Sequence, residues 1–322
     1  MSHYLSTIFY LLFISSIANS LMKPLYITPT NRFNHNTDHQ NDNKNSCNIL
    51  LLSGGGAYGA YEAGIISRLV ENGSRWDYLT GVSAGSINAF FLSSLGYPAN
   101  LTTILRDSWN SIKSDNVYKI VPTDWLKSLA SNEPLTKTMQ AKIKEYNLEE
   151  LQIPVYVGTV SLEDGIFYQW YLDHNTSASV VDLIIASSNI PIVFAPHYFA
   201  NSYWIDGGTL RNIIIEEPII KCLESGKTDI HIDMITVNNP VAYESVNKIA
   251  NWYLWDYAVR TLSLIYQNMG DVELNCTNVD TDIYAYRWKP QTKPYSFLDF
   301  SHGGELFDLG YNTLEYSIVK VC

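Results

Sequence analysis

The chain has 322 residues, 46% of them hydrophobic and 16% charged, with a formal net charge of −11. That much apolar material supports a sizeable core and excludes a wholly disordered chain. The acidic balance argues against nucleic acid, and against a membrane held mainly by polybasic attraction to anionic lipid; it leaves neutral or interfacial lipid open.

From Tyr4 to Ser20 the chain carries no charge and ends in Ala18-Asn19-Ser20, a small-x-small pattern. Residues 1–20 therefore read as a secretory signal peptide, which places the protein outside the cell or in the secretory lumen. The uncharged stretch continues to Met22. At about 20 residues it just spans a bilayer, so an uncleaved anchor is the alternative. Residues 21–46 read as a linker, with the Asn-rich, aperiodic run TNRFNHNTDHQNDNKNS from Thr30 to Ser46 at its centre. Residues 47–322 show no second linker and no repeat, and read as one domain. The four cysteines, Cys47, Cys222, Cys276 and Cys322, allow three pairings and show no metal-ligand spacing.

Order begins with Asn48–Leu52, a short apolar run typical of a buried strand. Apolar residues at helical spacing follow from Ala60 to Val70. Asp77–Val82 predicts a second strand and Ile87–Leu95 an apolar helix. Val155–Val157 reads as a strand, Val180–Ala186 as a helix and Asp229–Val237 as a strand. A long helix is predicted from about Tyr243 to Gln267, with Trp252, Trp255, Val259, Leu262 and Tyr266 on one stripe. Alternating strands and helices predict a mostly parallel sheet covered on both faces.

Two motifs bracket the second strand. Gly81-Val82-Ser83-Ala84-Gly85 fits Gly-x-Ser-x-Gly, a sharp strand-to-helix turn that exposes a serine oxygen, with small residues permitting close helix–strand approach. The helix after it aims its positive end at Ser83. Before it, the first strand runs into Gly54, Gly55 and Gly56, with Ala57, Tyr58 and Gly59 next. Acyl transfer develops an oxyanion, and a glycine run lets backbone N–H groups converge on one without side chains in the way. Gly54, Gly56 and Gly59 have the Gly-x-Gly-x-x-Gly spacing of a dinucleotide loop, but no well-placed acid follows the second strand, where a serine elbow sits instead, and the Gly-Lys-Ser/Thr of a phosphate loop is absent. Farther on, Asp206-Gly207-Gly208 ends the strand-like run YWI, at the edge where parallel sheets collect functional groups.

Together these residues resemble the patatin-like phospholipases. The resemblance rests on Gly54-Gly55-Gly56-Ala57-Tyr58-Gly59, on Gly81 to Gly85, on Ala186-Ser187 with Pro191, Phe194 and Pro196, on Asp206-Gly207-Gly208, and on the closing run from Ser296 to Glu315. It implies a three-layer α/β/α sandwich and a lipid acyl hydrolase that uses a Ser-Asp dyad, with no metal and no cofactor, on a lipid or membrane-interface ester. Carried over, Ser83 is the nucleophile, Asp206 the proton acceptor, and the amides of Gly54, Gly55 and Gly56 the oxyanion hole. Tyr58 departs from the family pattern, which usually has Arg or Lys there. Either the residue bears on headgroup preference, or it braces the glycine loop. Two rival readings are an α/β-hydrolase with a triad of Ser83, Asp206 and His231 or His302, and a non-catalytic lipid-binding member of the fold.

Overall fold

The structure, a computed structural model, describes residues 45–121, 128–176, 179–237, 249, 251, 253–269, 279, 282–288 and 295–322. The expected leader, nearly all of the linker, Cys276, Trp252 and residues 243–248 of the long helix lie outside them.

A nine-stranded sheet runs through the described residues. Its strands are β1 (Ser46–Leu52), β2 (Tyr78–Val82), β3 (Val155–Ser161), β4 (Phe167–Leu172), β5 (His197–Phe199), β6 (Ser202–Asp206), β7 (Asp229–Ile235), β8 (Tyr284–Trp288) and β9 (Tyr316–Lys320). Their order is β9-β8-β7-β1-β2-β3-β6-β5, with β4 on the other edge of β3. The five central strands, β8 to β3, are mutually parallel, and the pairings outside them are antiparallel.

Central parallel strands are covered on both faces, so they read as continuous apolar runs. In β1 the side chains alternate. Leu50 and Leu52 join one core; Cys47, Ile49 and Leu51 join the other. Against the first pack α1 (Gly59–Glu71), α2 (Ala84–Leu95), α3 (Leu101–Ser111) and, farther along the chain, the helix Gly303–Tyr311. Two further helices add to the same core: α4 (Glu133–Tyr146) and α5 (Val180–Ser187). The opposite face is covered by α6 (Glu216–Glu224), whose Ile219 and Cys222 are fully buried. A disulfide joins Cys47 of β1 to Cys222 of α6. The result is a sheet between two helical layers. Of the predicted long helix, Leu254–Met269 is described, and Trp255, Val259 and Leu262 face the core.

The decisive feature is one edge of β3. Strand β2 pairs with it through Val82↔Gly158. Strand β4 occupies the opposite edge, from Val155 to Val160. Strand β6 then pairs with β3 through Thr159↔Asp206, so it continues the same edge where β2 leaves off. It runs the other way. The carboxyl ends of β2 and β6 therefore meet head to head, at adjacent positions of one strand.

Candidate active site

Ser83 follows β2 directly and stands at the start of α2. Its backbone, at φ 52 and ψ −123, lies in the left-handed half of the map, where a non-glycine residue is costly. The contacts that hold it there are specific. The Ser83 N–H donates to Ser187 Oγ at 2.9 Å, and Ser187 Oγ donates to Gly158 O at 2.7 Å. Ser86 Oγ donates to Ser83 O at 2.6 Å. Gly81 and Gly85 let the turn close. A methyl group on Gly81 would lie 2.4 Å from Gly85 O, and one on Gly85 would lie 2.7 Å from Leu52 O and Ser53 O.

Asp206 ends β6 and is buried. Its N–H donates to Asn189 O at 2.9 Å, and its Oδ1 accepts from the Gly208 N–H at 2.7 Å. The Ser83 side chain neighbours its carboxylate. Burial pushes its pKa from 3.8 up to about 7, against the lowering effects of the Ser83 side chain and the Gly208 N–H. Gly207 lies against β3, where a methyl group would be 2.5 Å from Gly158 O.

The glycine run divides in two. The Gly54 N–H is already engaged: it donates to Asn212 Oδ1 at 3.0 Å, and Asn212 Nδ2 donates to Gly54 O at 3.0 Å. Gly55 and Gly56 make no such amide bond among the described residues. Gly56 has φ +56, and a methyl group there would meet Phe297 O at 2.1 Å. Gly59 opens α1 against the Trp109 ring, 2.5 Å from where its methyl group would be. Tyr58 is buried at 1% exposure, and its hydroxyl donates to Tyr295 O at 3.4 Å. Burial raises its pKa to about 12. That is the arrangement of a brace beneath the loop.

An apolar cavity opens beside Ser83 and Gly56. Phe91 of α2, Trp109 of α3, Leu135 and Met139 of α4, Phe194 and Leu298 form much of its wall. Beneath it lies a polar network. Asn88 Nδ2 donates to Gly59 O at 2.8 Å and to Glu62 Oε2 at 3.0 Å, while Asn88 Oδ1 accepts from Trp109 Nε1 at 2.9 Å. Glu62 is fully buried, and burial raises its pKa well above the usual carboxylate range. The network ties the glycine-loop helix to the helix that follows Ser83 and to the cavity wall.

Neither candidate triad histidine joins the site. His231 pairs with Asn48 on β1, four positions before the Ile235↔Leu52 pair at the site end. That is about 13 Å along the strand. Its Nε2 faces Asp229 at 3.2 Å. His302 stacks on Tyr295 and faces Asp299 and Glu305. Sequence reasoning gave Ser187 no role of its own and passed over Asn212, Glu62 and Asn88. Of these, Ser187 alone carried a signal, as part of the Ala186-Ser187 motif.

The family model of patatin-like phospholipases matches residues 50–219, more than half of the 322-residue chain. The chain belongs to the patatin-like phospholipase family. Among curated relatives, it is 28% identical over 197 residues to the cGAMP-activated phospholipase of Vibrio cholerae, a match covering 52% of this chain and 56% of that protein. It is 27% identical over 192 residues to a probable lipid hydrolase of Invertebrate iridescent virus 6, covering 52% and 61%. The chain thus spans little more than half the length of these relatives. Among solved structures, VipD from Legionella pneumophila matches with 14% identity and a TM-score of 0.41, covering 83% of this chain and 66% of that one.

Proposed function

We propose that this patatin-like protein is a lipid acyl hydrolase that cleaves carboxylic esters through Ser83 and Asp206, by way of an acyl-enzyme. One observation carries the reading: a buried carboxylate with its pKa raised to about 7 neighbours a serine on a strained strand-to-helix turn, the two strands that carry them meeting end to end. An ordinary aspartate, with a pKa near ~3.9, is a poor base at neutral pH. One that titrates near 7 is matched to the task.

In the proposed reaction Asp206 takes the Ser83 proton as Oγ attacks the ester carbonyl. The oxyanion forms against the amides of Gly55 and Gly56; Gly54, expected as a third donor, is left to Asn212. The tetrahedral intermediate expels the alcohol, which leaves with the proton held by Asp206. Water, deprotonated by the same carboxylate, then frees the acyl group. The apolar cavity suits a hydrocarbon chain, which favours an acyl ester over a polar one. Tyr58 enters this scheme as a support for the loop and not as a headgroup contact.

Two results test the proposal. Ser83→Ala removes one oxygen, so it abolishes hydrolysis of p-nitrophenyl butyrate and labelling by a fluorophosphonate while leaving the melting temperature nearly unchanged. Retention of more than a few per cent of the rate sinks the nucleophile assignment. Gly55→Ala places a methyl group 2.1 Å from Val237 Cγ2 and displaces the loop. Losing one donor costs roughly 2.7–4 kcal/mol of transition-state stabilisation. The expected signature is a fall in kcat with KM little changed; normal kcat with weakened binding refutes the oxyanion role.

The proposal extends to location and extent. The Cys47–Cys222 disulfide favours an oxidising compartment, in keeping with a secretory leader at residues 1–20. Residues 47–322 act as a single catalytic domain.

A further inference from the structure

Asn212 stands between the Asp206-Gly207-Gly208 turn and α6, six residues beyond Asp206, and is buried. Its side-chain amide makes two hydrogen bonds to one residue. Oδ1 accepts from the Gly54 N–H and Nδ2 donates to Gly54 O, both at 3.0 Å. Gly54 is wedged in place: a methyl group there would lie 2.6 Å from Asn212 Oδ1 and 3.0 Å from Ser83 Cβ. The grip on Gly54 O has a consequence one atom further along. Gly54 C=O and Gly55 N–H share one planar peptide group, and no described peptide bond is cis. In a trans peptide the two point in opposite directions. Turning Gly54 O toward Asn212 therefore turns the Gly55 N–H away from Asn212, and among the described residues it has no hydrogen-bond partner.

We infer that Asn212 is a positioning residue for ester hydrolysis: by clamping both polar groups of Gly54 it fixes the peptide plane that aims the Gly55 N–H at the substrate oxyanion. The inference rests on the hydrolase reading above. It assigns a use to the chain segment after Asp206. The same loop delivers the base and sets the donor, so the two halves of the site are aligned by one piece of backbone.

The test compares wild type with Asn212→Ala and with Asn212→Leu, which removes both hydrogen bonds while keeping most of the side-chain volume. Steady-state hydrolysis of p-nitrophenyl butyrate is measured from pH 5 to 9, alongside circular dichroism and thermal melting. Because the Gly55 N–H is misaimed and not deleted, the loss is smaller than the 10²–10³ reported for removing a donor outright. A fall in kcat of roughly 10–100-fold is expected, with KM within about threefold and the pH midpoint unmoved. A variant that is folded and retains kcat within twofold overturns the inference and makes Asn212 a structural staple. A kcat loss accompanied by a shifted pH midpoint also overturns it, since the route would then run through Asp206. A wild-type chain that is neither active nor labelled at Ser83 by a fluorophosphonate removes the hydrolase reading itself; an active wild type with unimpaired variants removes only the Asn212 assignment.

Discussion

Asp206→Asn is expected to abolish turnover and, at alkaline pH, to make the protein more stable. Asn cannot accept the Ser83 proton, so the rate falls on the order of 10⁴, about as far as loss of a unit that acts together with its nucleophile. The gain in stability follows from the raised pKa. Below about pH 4 the carboxyl is protonated in both states and the variant gains nothing. Between about 4 and 7 the unfolded chain releases its proton while the folded chain keeps it, so wild-type stability falls as pH rises. Above about 7 the full penalty stands, about 4 kcal/mol at 1.36 kcal/mol per unit. Glu62 is buried in the same sense and adds its own slope, but it does so in wild type and variant alike. The difference between the two melting curves from pH 4 to 9 therefore isolates Asp206. A difference that does not change with pH contradicts the picture of a desolvated base. The same titration predicts that wild-type kcat rises about tenfold per unit below pH 7 and levels off above it.

The second large effect is on stability alone. The Cys47–Cys222 bond closes a loop of 175 residues between β1 and α6. Constraining so long a loop in the unfolded chain is worth about 4–5 kcal/mol. In a domain of this size that corresponds to roughly 10 °C in melting temperature. Cys47→Ala with Cys222→Ala should lower the melting point by that much and leave kcat at 25 °C unchanged. Cys47 lies five residues before Leu52 on β1, about 16 Å from the site end of the strand. Both sulfurs are buried, so a reductant acts only after the chain opens. Loss of activity in the folded double variant means that the disulfide reaches the site.

Much of the chemistry could be read from the residues because it depends on local backbone. Gly81 is dictated by the helix that packs back on β2, and Gly85 by that helix's close approach to the end of β1, and a sequence displays such demands openly. The central strands announce themselves as apolar runs for the same reason that they are covered on both faces. Other parts left little trace. Asn212 acts across 158 residues, and an asparagine in a loop looks like any other turn residue. Helix α4 fully buries only Leu135 and Met139, with Ile143 and Tyr146 half-buried among charged residues, so its period is faint. Strand β8 is only five residues long, and the edge strand β9, also five residues, is only partly buried, which blurs its alternation. The β5–β6 hairpin presents Tyr198 and Tyr203 to solvent and Trp204 to the core. Its aromatic residues gave no clean two-residue period. Tyr58 shows the limit from the other side: its identity raised a question about charge, and the fold adds that it is buried, which the residue type alone does not disclose.

The head-to-head meeting of β2 and β6 makes strand β3 a ruler. Gly158 and Thr159 are consecutive, so Val82, the residue before Ser83, and Asp206 are set by a step of about 3.3 Å along one backbone, and with them the proposed nucleophile and base. Nothing in that spacing depends on how long the connections are. The turn at Gly165, where a methyl group would meet nothing within 4 Å, and the hairpin tip at Ala200 and Asn201 can be lengthened, shortened or opened as new chain termini while the pair keeps its separation. Catalysis on this scaffold is thus insulated from insertion. A lineage can graft surface loops, partner-binding segments or whole modules at those tips and change what the enzyme meets without retuning how it cuts.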